Sequence, residues 1–188
     1  PQLIYLRNLR TMQELKTNIN LDKAHILNIL RDYLKNLQNN ICNILESNCN
    51  NKKDIFIKDK WVSNLGIGES RLIEQGEIIE RGGVNFSEVS GLKLPASALK
   101  DREVEHISDC EFNALGVSIV IHPKNPYAPT THFNLRFFIA HKNNSIKKWW
   151  FGGGYDLTPY FGFQEDVKHW HDTAKAACDK FDLKYYPK

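Results

Sequence analysis

Nothing in this sequence approaches the roughly 20 consecutive apolar residues that a helix needs to cross a bilayer, which excludes a helical membrane span. The first residues also lack the short apolar stretch of a secretory signal. Cysteine is scarce: Cys42, Cys49, Cys110 and Cys178 form no C-x-x-C pair and no regular framework. That pattern excludes a disulfide-stapled secreted scaffold and favours reduced thiols, so a soluble, cytoplasmic protein is expected. Net charge is nearly absent as well, since 25 Lys and Arg against 22 Asp and Glu leave only +3. The bases are scattered along the chain, which argues against a nucleic-acid partner. Methionine occurs once, at Met12, and the chain begins at Pro1, so residue 1 is not read as a natural translation start.

What is present is enough for one substantial core. With 188 residues, 41% of them hydrophobic, a single domain over 1–188 is the economical reading, with 1–20 a poorly ordered or helical lead-in. From Leu21 to about Leu45, apolar residues including Leu27, Leu30, Leu34, Leu37, Ile41 and Ile44 recur every three or four positions. This spacing predicts an amphipathic helix, with a break near Asn39 and Asn40. The polar run "NCNNKKD" is a loop, and strand structure starts in "IFIKDKW". Two short apolar runs around Gln75 and Gly76, followed by Val84 to Val89, read as hairpins. Ala114 to Tyr155 contains three strand candidates joined by the turn-rich "PKNPYAPTT" and "HKNNS". From Glu165 to Phe181 a helical period returns, with Val167, Trp170, Ala174, Ala177 and Phe181 on one face. The fold class is α+β, a large antiparallel β-sheet flanked by helices on both sides.

Side chains alternate across a strand, so Ser118 and His122 point to the side opposite Val117, Ile119 and Ile121. In "THFNLRFF" the same split sets His132, Asn134 and Arg136 against Phe133, Leu135 and Phe137. Paired antiparallel, the two strands carry Ser118, His122, His132, Asn134 and Arg136 on one surface above an apolar underside. A solvated polar face is one reading of that surface. The other is a ligand site, because His, Asn and Arg suit an anionic or metal-bound ligand, and the Arg136 guanidinium is a planar fork for a carboxylate. His122 and His132, joined by His169 or His171, are candidate ligands for a divalent metal. Two helical residues two apart point about 200° from each other, so at most one of His169 and His171 faces such a site.

The stretch "WWFGGGYDLTPYFGF" sets bulky aromatics directly against Gly152, Gly153 and Gly154, followed by Asp156. Either the chain turns sharply there or something large and flat approaches its backbone. A phosphate cradle would need the lysine and hydroxyl ending or the dinucleotide-binding spacing, and both are missing.

Three segments together, "RGGVNFSEVSG", "GVSIVIHPKNPYAPTTHFNLRFF" and "WWFGGGYDLTPYFGFQEDVKHWHDTAKAACD", resemble the oxygen-dependent coproporphyrinogen III oxidases from about Gly82 onward. Upstream the likeness thins, and "LGIGESRLIE" stands where the family usually has a run of glycines. The resemblance implies oxidative decarboxylation of two propionates of coproporphyrinogen III to vinyls, giving protoporphyrinogen IX for haem synthesis. Molecular oxygen is the co-substrate, no organic cofactor is needed, and the enzyme acts as a homodimer. It further implies a substrate-contacting Ser118, a proton-donating His132 and a substrate-contacting stretch Asn134, Leu135 and Arg136. Gly153, Gly154 and Asp156 would lie beside the macrocycle, with Asp156 approaching pyrrole N–H groups. His122, His132 and His171 match positions that serve as metal ligands in bacterial-type members.

The chain ends at "KYYPK", ahead of the family's C-terminal portion, so little oxidase activity is expected of a protein naturally truncated there. The alternatives are a non-catalytic tetrapyrrole-binding or dimer-forming remnant and, apart from the resemblance, a metal-dependent enzyme built on the sheet histidines.

Overall fold

A computed structural model of the chain describes residues 22–95 and 107–186. The expected lead-in at 1–20 therefore lies outside the described residues. Helix α1 spans Lys23–Cys49 and is followed by strands β1 (Ile57–Ser63), β2 (Gly66–Glu74), β3 (Ile79–Gly91), β4 (Glu111–Pro123), β5 (Thr130–Lys142) and β6 (Ser145–Thr158), then helix α2 (Gln164–Asp179). The six strands form one sheet in sequence order. Every neighbouring pair is antiparallel. The α+β class is thus observed.

Local chemistry explains the hairpins. Between β5 and β6, Asn143 and Asn144 both take positive φ (51° and 61°), and the two-residue loop closes Lys142 against Ser145. A tight turn of this hand needs left-handed backbone at both central positions, which asparagine tolerates. At the β2 to β3 turn the Asp54 carboxylate does the work, accepting the backbone N–H groups of Glu77, Ile78 and Ile79 and the amide of Asn51. Burial works against the ionised form there, but these donors outweigh it and hold the Asp54 pKa below the usual carboxylate range.

Helix α1 is continuous through Asn39 and Asn40, so the expected break is absent. The reason lies in the side chains. Gln38 is buried and its amide donates to the carbonyls of Glu69 on β2 and Val84 on β3, both at 2.8 Å, while Asn39 accepts from Arg71. Polar residues that look like punctuation fasten the helix to the sheet instead. Ile26, Leu27, Leu30, Leu34 and Cys42 of α1 pack over Val84, Phe86, Leu115, Val117, Ile119, Phe137 and Ile139 to make the main core. Ile44, expected on that stripe, is exposed.

Helix α2 differs from expectation more strongly. None of its residues is buried, and Phe181 lies beyond its end. It meets the sheet through Trp170, stacked on Tyr155 of β6 with ring centroids 3.8 Å apart and planes 6° from parallel. Tyr155 is in register with Phe133, on the same sheet face that α1 covers. The opposite face is apolar at one end, where Leu94, Ile107, Cys110, Phe112, Ala114, Phe138 and Ala140 form a second core. All four cysteines are free thiols, and among the described residues no helix is long and apolar enough to span a membrane.

Candidate active site

Strand register assembles the site. Ser118 pairs with Asn134, Val120 with His132 and Gly116 with Arg136 between β4 and β5. On β6 the partners of His132, Asn134 and Arg136 are Asp156, Gly154 and Gly152. Directly opposed residues in an antiparallel pair project to one side. The surface away from α1 therefore carries Ser118, His132, Asn134, Arg136 and Asp156 as the alternation predicts. Strand β3 extends the array through pairs Asn85 with Ser118, Ser87 with Gly116 and Arg81 with His122. These β3 residues were not singled out from sequence, although polar Asn85 and Ser87 alternating with apolar Val84 and Phe86 carried the signal.

Two titratable side chains on this surface are joined. His132 Nδ1 lies 2.9 Å from Asp156 Oδ2, and the Thr158 hydroxyl donates to the same oxygen at 2.7 Å. Hydrogen bonds from Thr158 and His132 hold the Asp156 pKa below the usual carboxylate range. An ionised carboxylate only accepts, so Nδ1 of His132 carries the proton and Nε2 is the ring nitrogen left for other work. Both side chains stay accessible, His132 at 44% and Asp156 at 59%. In contrast, Ser118, Asn134 and Arg136 make no side-chain hydrogen bond or ion pair among the described residues. Several donors and a guanidinium without a counter-ion thus converge above one surface, an arrangement suited to a ligand bearing carboxylates.

The three glycines divide into two roles. A Cβ on Gly153 would stand 2.1 Å from the backbone oxygen of Asn134, so the middle glycine is demanded by the neighbouring strand. At Gly152 and Gly154 a Cβ would meet nothing within 4 Å. Those two positions open bare backbone to the polar surface. At the loop end, exposed Tyr127 packs against Phe161 and Phe163, with centroids 4.9 and 6.2 Å apart.

A family profile described as Coproporphyrinogen III oxidase matches residues 29–188. The chain belongs to this family. Three relatives, each named oxygen-dependent coproporphyrinogen-III oxidase, come from Coxiella burnetii strains Dugway 5J108-111, RSA 493 / Nine Mile phase I and RSA 331 / Henzerling II. Each is 50% identical over 157 residues, covering 83% of this chain and 49% of the relative. The chain thus spans about half the length of the curated relatives it matches.

Two expectations drawn from the family change on inspection of the geometry. Leu135 points to the other surface, where it packs against the main core, so within the stretch 134–136 only Asn134 and Arg136 offer side chains to the site. The three histidines expected as metal ligands are not gathered: among the described residues no group of three or more His, Cys, Asp or Glu is placed to hold a metal ion. His122 and His132 stand edge to face with ring centroids 6.4 Å apart. His122 Nδ1 lies 3.3 Å from the Thr130 hydroxyl, and His171, on α2, bonds through Nδ1 to the Tyr186 hydroxyl at 2.7 Å. Each of these bonds leaves Nε2 open, but the three rings are not brought together, so the residues as placed do not fit a three-histidine centre.

Proposed function

We propose that this chain provides the sheet surface on which an oxygen-dependent coproporphyrinogen III oxidase holds its substrate and manages its protons. The observation that carries this reading is the His132 and Asp156 pair beside an Arg136 with no ion pair among the described residues and the open floor at Gly152 and Gly154. Each half-reaction converts a propionate, oxygen and one proton into a vinyl group, carbon dioxide and hydrogen peroxide. The propionate arm loses a β-hydrogen and its carboxylate, and its two electrons pass through the electron-rich pyrrole to oxygen, so the protein's part is orientation and proton movement. Arg136 anchors a propionate carboxylate, worth roughly 1.5–3 kcal/mol as a hydrogen bond to a charged group. Asn134 and Ser118 add neutral hydrogen bonds. Asp156, ionised and exposed, faces the pyrrole N–H groups, and His132, whose tautomer Asp156 fixes, donates or takes a proton through Nε2. Gly152 and Gly154 let the macrocycle lie against the backbone. On this reading the enzyme works in the cytoplasm as a homodimer, which its free thiols support as to compartment.

The test is product analysis. Incubated with coproporphyrinogen III in air, the protein is expected to release carbon dioxide and peroxide and to form a divinyl product. Quenching of coproporphyrin III fluorescence without either release would favour a second reading, a binding or dimer-forming remnant, which the half-length match to the relatives supports. Neither binding nor turnover would overturn both.

A further inference from the structure

We propose that Asn85 is a further substrate-binding residue, which with Ser118 forms a neutral donor pair for a carboxylate arm on the side of the floor away from Asp156. This rests on the reading above and deepens it. Asn85 sits on β3 in register with Ser118, so the two side chains project together about 5 Å apart at Cβ. Asparagine is disfavoured in strands, and this one occupies the middle of a long strand between neighbours in register on both sides. Its amide leans over Gly83: a Cβ there would lie 3.4 Å from the amide nitrogen and 3.8 Å from the oxygen. The amide therefore lies directly beside the bare backbone of Gly83.

Among the described residues the amide has no partner to justify the place. Asn85 Oδ1 is shut off from solvent without a hydrogen bond, and among the described residues no side-chain bond is made by Asn85 or Ser118. Leaving a buried acceptor unmet is costly, and an apolar residue would avoid that cost. With the oxygen turned inward, the amide nitrogen is the atom available to the polar surface. A donor matched to a second donor, the Ser118 hydroxyl, recognises an acceptor, and on a tetracarboxylate macrocycle that acceptor is a carboxylate. Asn134 and Arg136 lie on β5, next to Ser118's strand, and Asp156 lies one strand further on, on β6. Adjacent strands are about 4.8 Å apart, so Asn85 on β3 and Asp156 on β6 stand at the two ends of a floor about 14 Å wide, with Ser118 and Arg136 on the strands between them. One side then grips an arm through neutral hydrogen bonds and the other through a guanidinium.

The experiment is titration of the full chain with coproporphyrin III, followed by fluorescence quenching, alongside thermal unfolding of each variant. Asn85→Ala is expected to weaken binding about tenfold with an unchanged or raised unfolding midpoint, because an orphaned polar atom is removed. Asn85→Asp replaces the donor by a charged acceptor and is expected to weaken binding beyond Asn85→Ala. Ser118→Ala combined with Asn85→Ala should lose less than the product of the two single effects. Wild-type affinity in Asn85→Asp would overturn the donor role. A lowered midpoint in Asn85→Ala accompanied by loss of binding would make Asn85 structural and overturn the inference. If wild type binds no coproporphyrin III, the parent reading fails and this one with it, whereas wild-type binding undiminished in the Asn85 variants sinks this inference alone.

Discussion

At the scale of single residues, His132 and Asp156 can be separated from the fold by substitution. His132 is half exposed on the polar surface, so His132→Ala is expected to cost under about 0.5 kcal/mol of stability while lowering turnover by roughly 10²-fold or more. Comparing the unfolding midpoint with kcat checks this, and equal losses would make His132 structural. Asp156→Asn keeps the shape but removes the charge that fixes the proton on Nδ1. A similarly large fall in kcat is expected, with little change in folding, because an amide can present its N–H to the ring and reverse the tautomer. The positions of Ser118, His132, Asn134 and Arg136 were legible in sequence because strand alternation alone decides which way a side chain points. The His132 contact with Asp156 was not, since it depends on the β5 to β6 register, which the turn at Asn143 and Asn144 starts and an irregularity between Ala140 and His141 then shifts by one residue.

At the scale of elements, β6 makes a sharper prediction than its composition does. Gly153→Ala drives a methyl group into the β5 backbone and is expected to cost about 3 kcal/mol. Gly152→Ala and Gly154→Ala meet open space, so they should unfold like wild type within about 0.5 kcal/mol yet weaken coproporphyrin III binding. Chemical denaturation and fluorescence titration of the three variants check the division. The strands and both helices could be read from hydrophobic period. The continuity of α1 could not, because the feature that keeps Gln38 helical is a pair of carbonyls on β2 and β3, far away in sequence. Likewise the apolar stripe of α2 promised a core contact, but period reports only which residues share a side, and here Trp170 stacks on the sheet while no residue of the helix is buried.

For the whole molecule, acid sensitivity should trace to Asp54. Its folded pKa is depressed, so the stabilisation is fully present above the unfolded value near 3.9 and is lost as pH falls through the folded one. Asp54→Ala leaves buried backbone donors unmet and is expected to cost about 3 kcal/mol at neutral pH. Unfolding midpoints measured from pH 7 down to pH 2 should fall below about pH 4 in wild type, and this limb should flatten in the variant. The overall architecture was legible because successive hairpins make a meander, the simplest arrangement of neighbouring strands. What distinguishes the two surfaces globally is the second core around Phe112 and Phe138, to which Leu94, Ile107 and Cys110 contribute from outside the strands. Among the described residues β6 has a strand on one side only. Its outer row of backbone groups is therefore a vacant template, running beneath the same glycines that floor the site. Anything that zips onto that rim steadies Gly152 and Gly154, and by reciprocity an occupant of the floor strengthens the rim's hold on its partner.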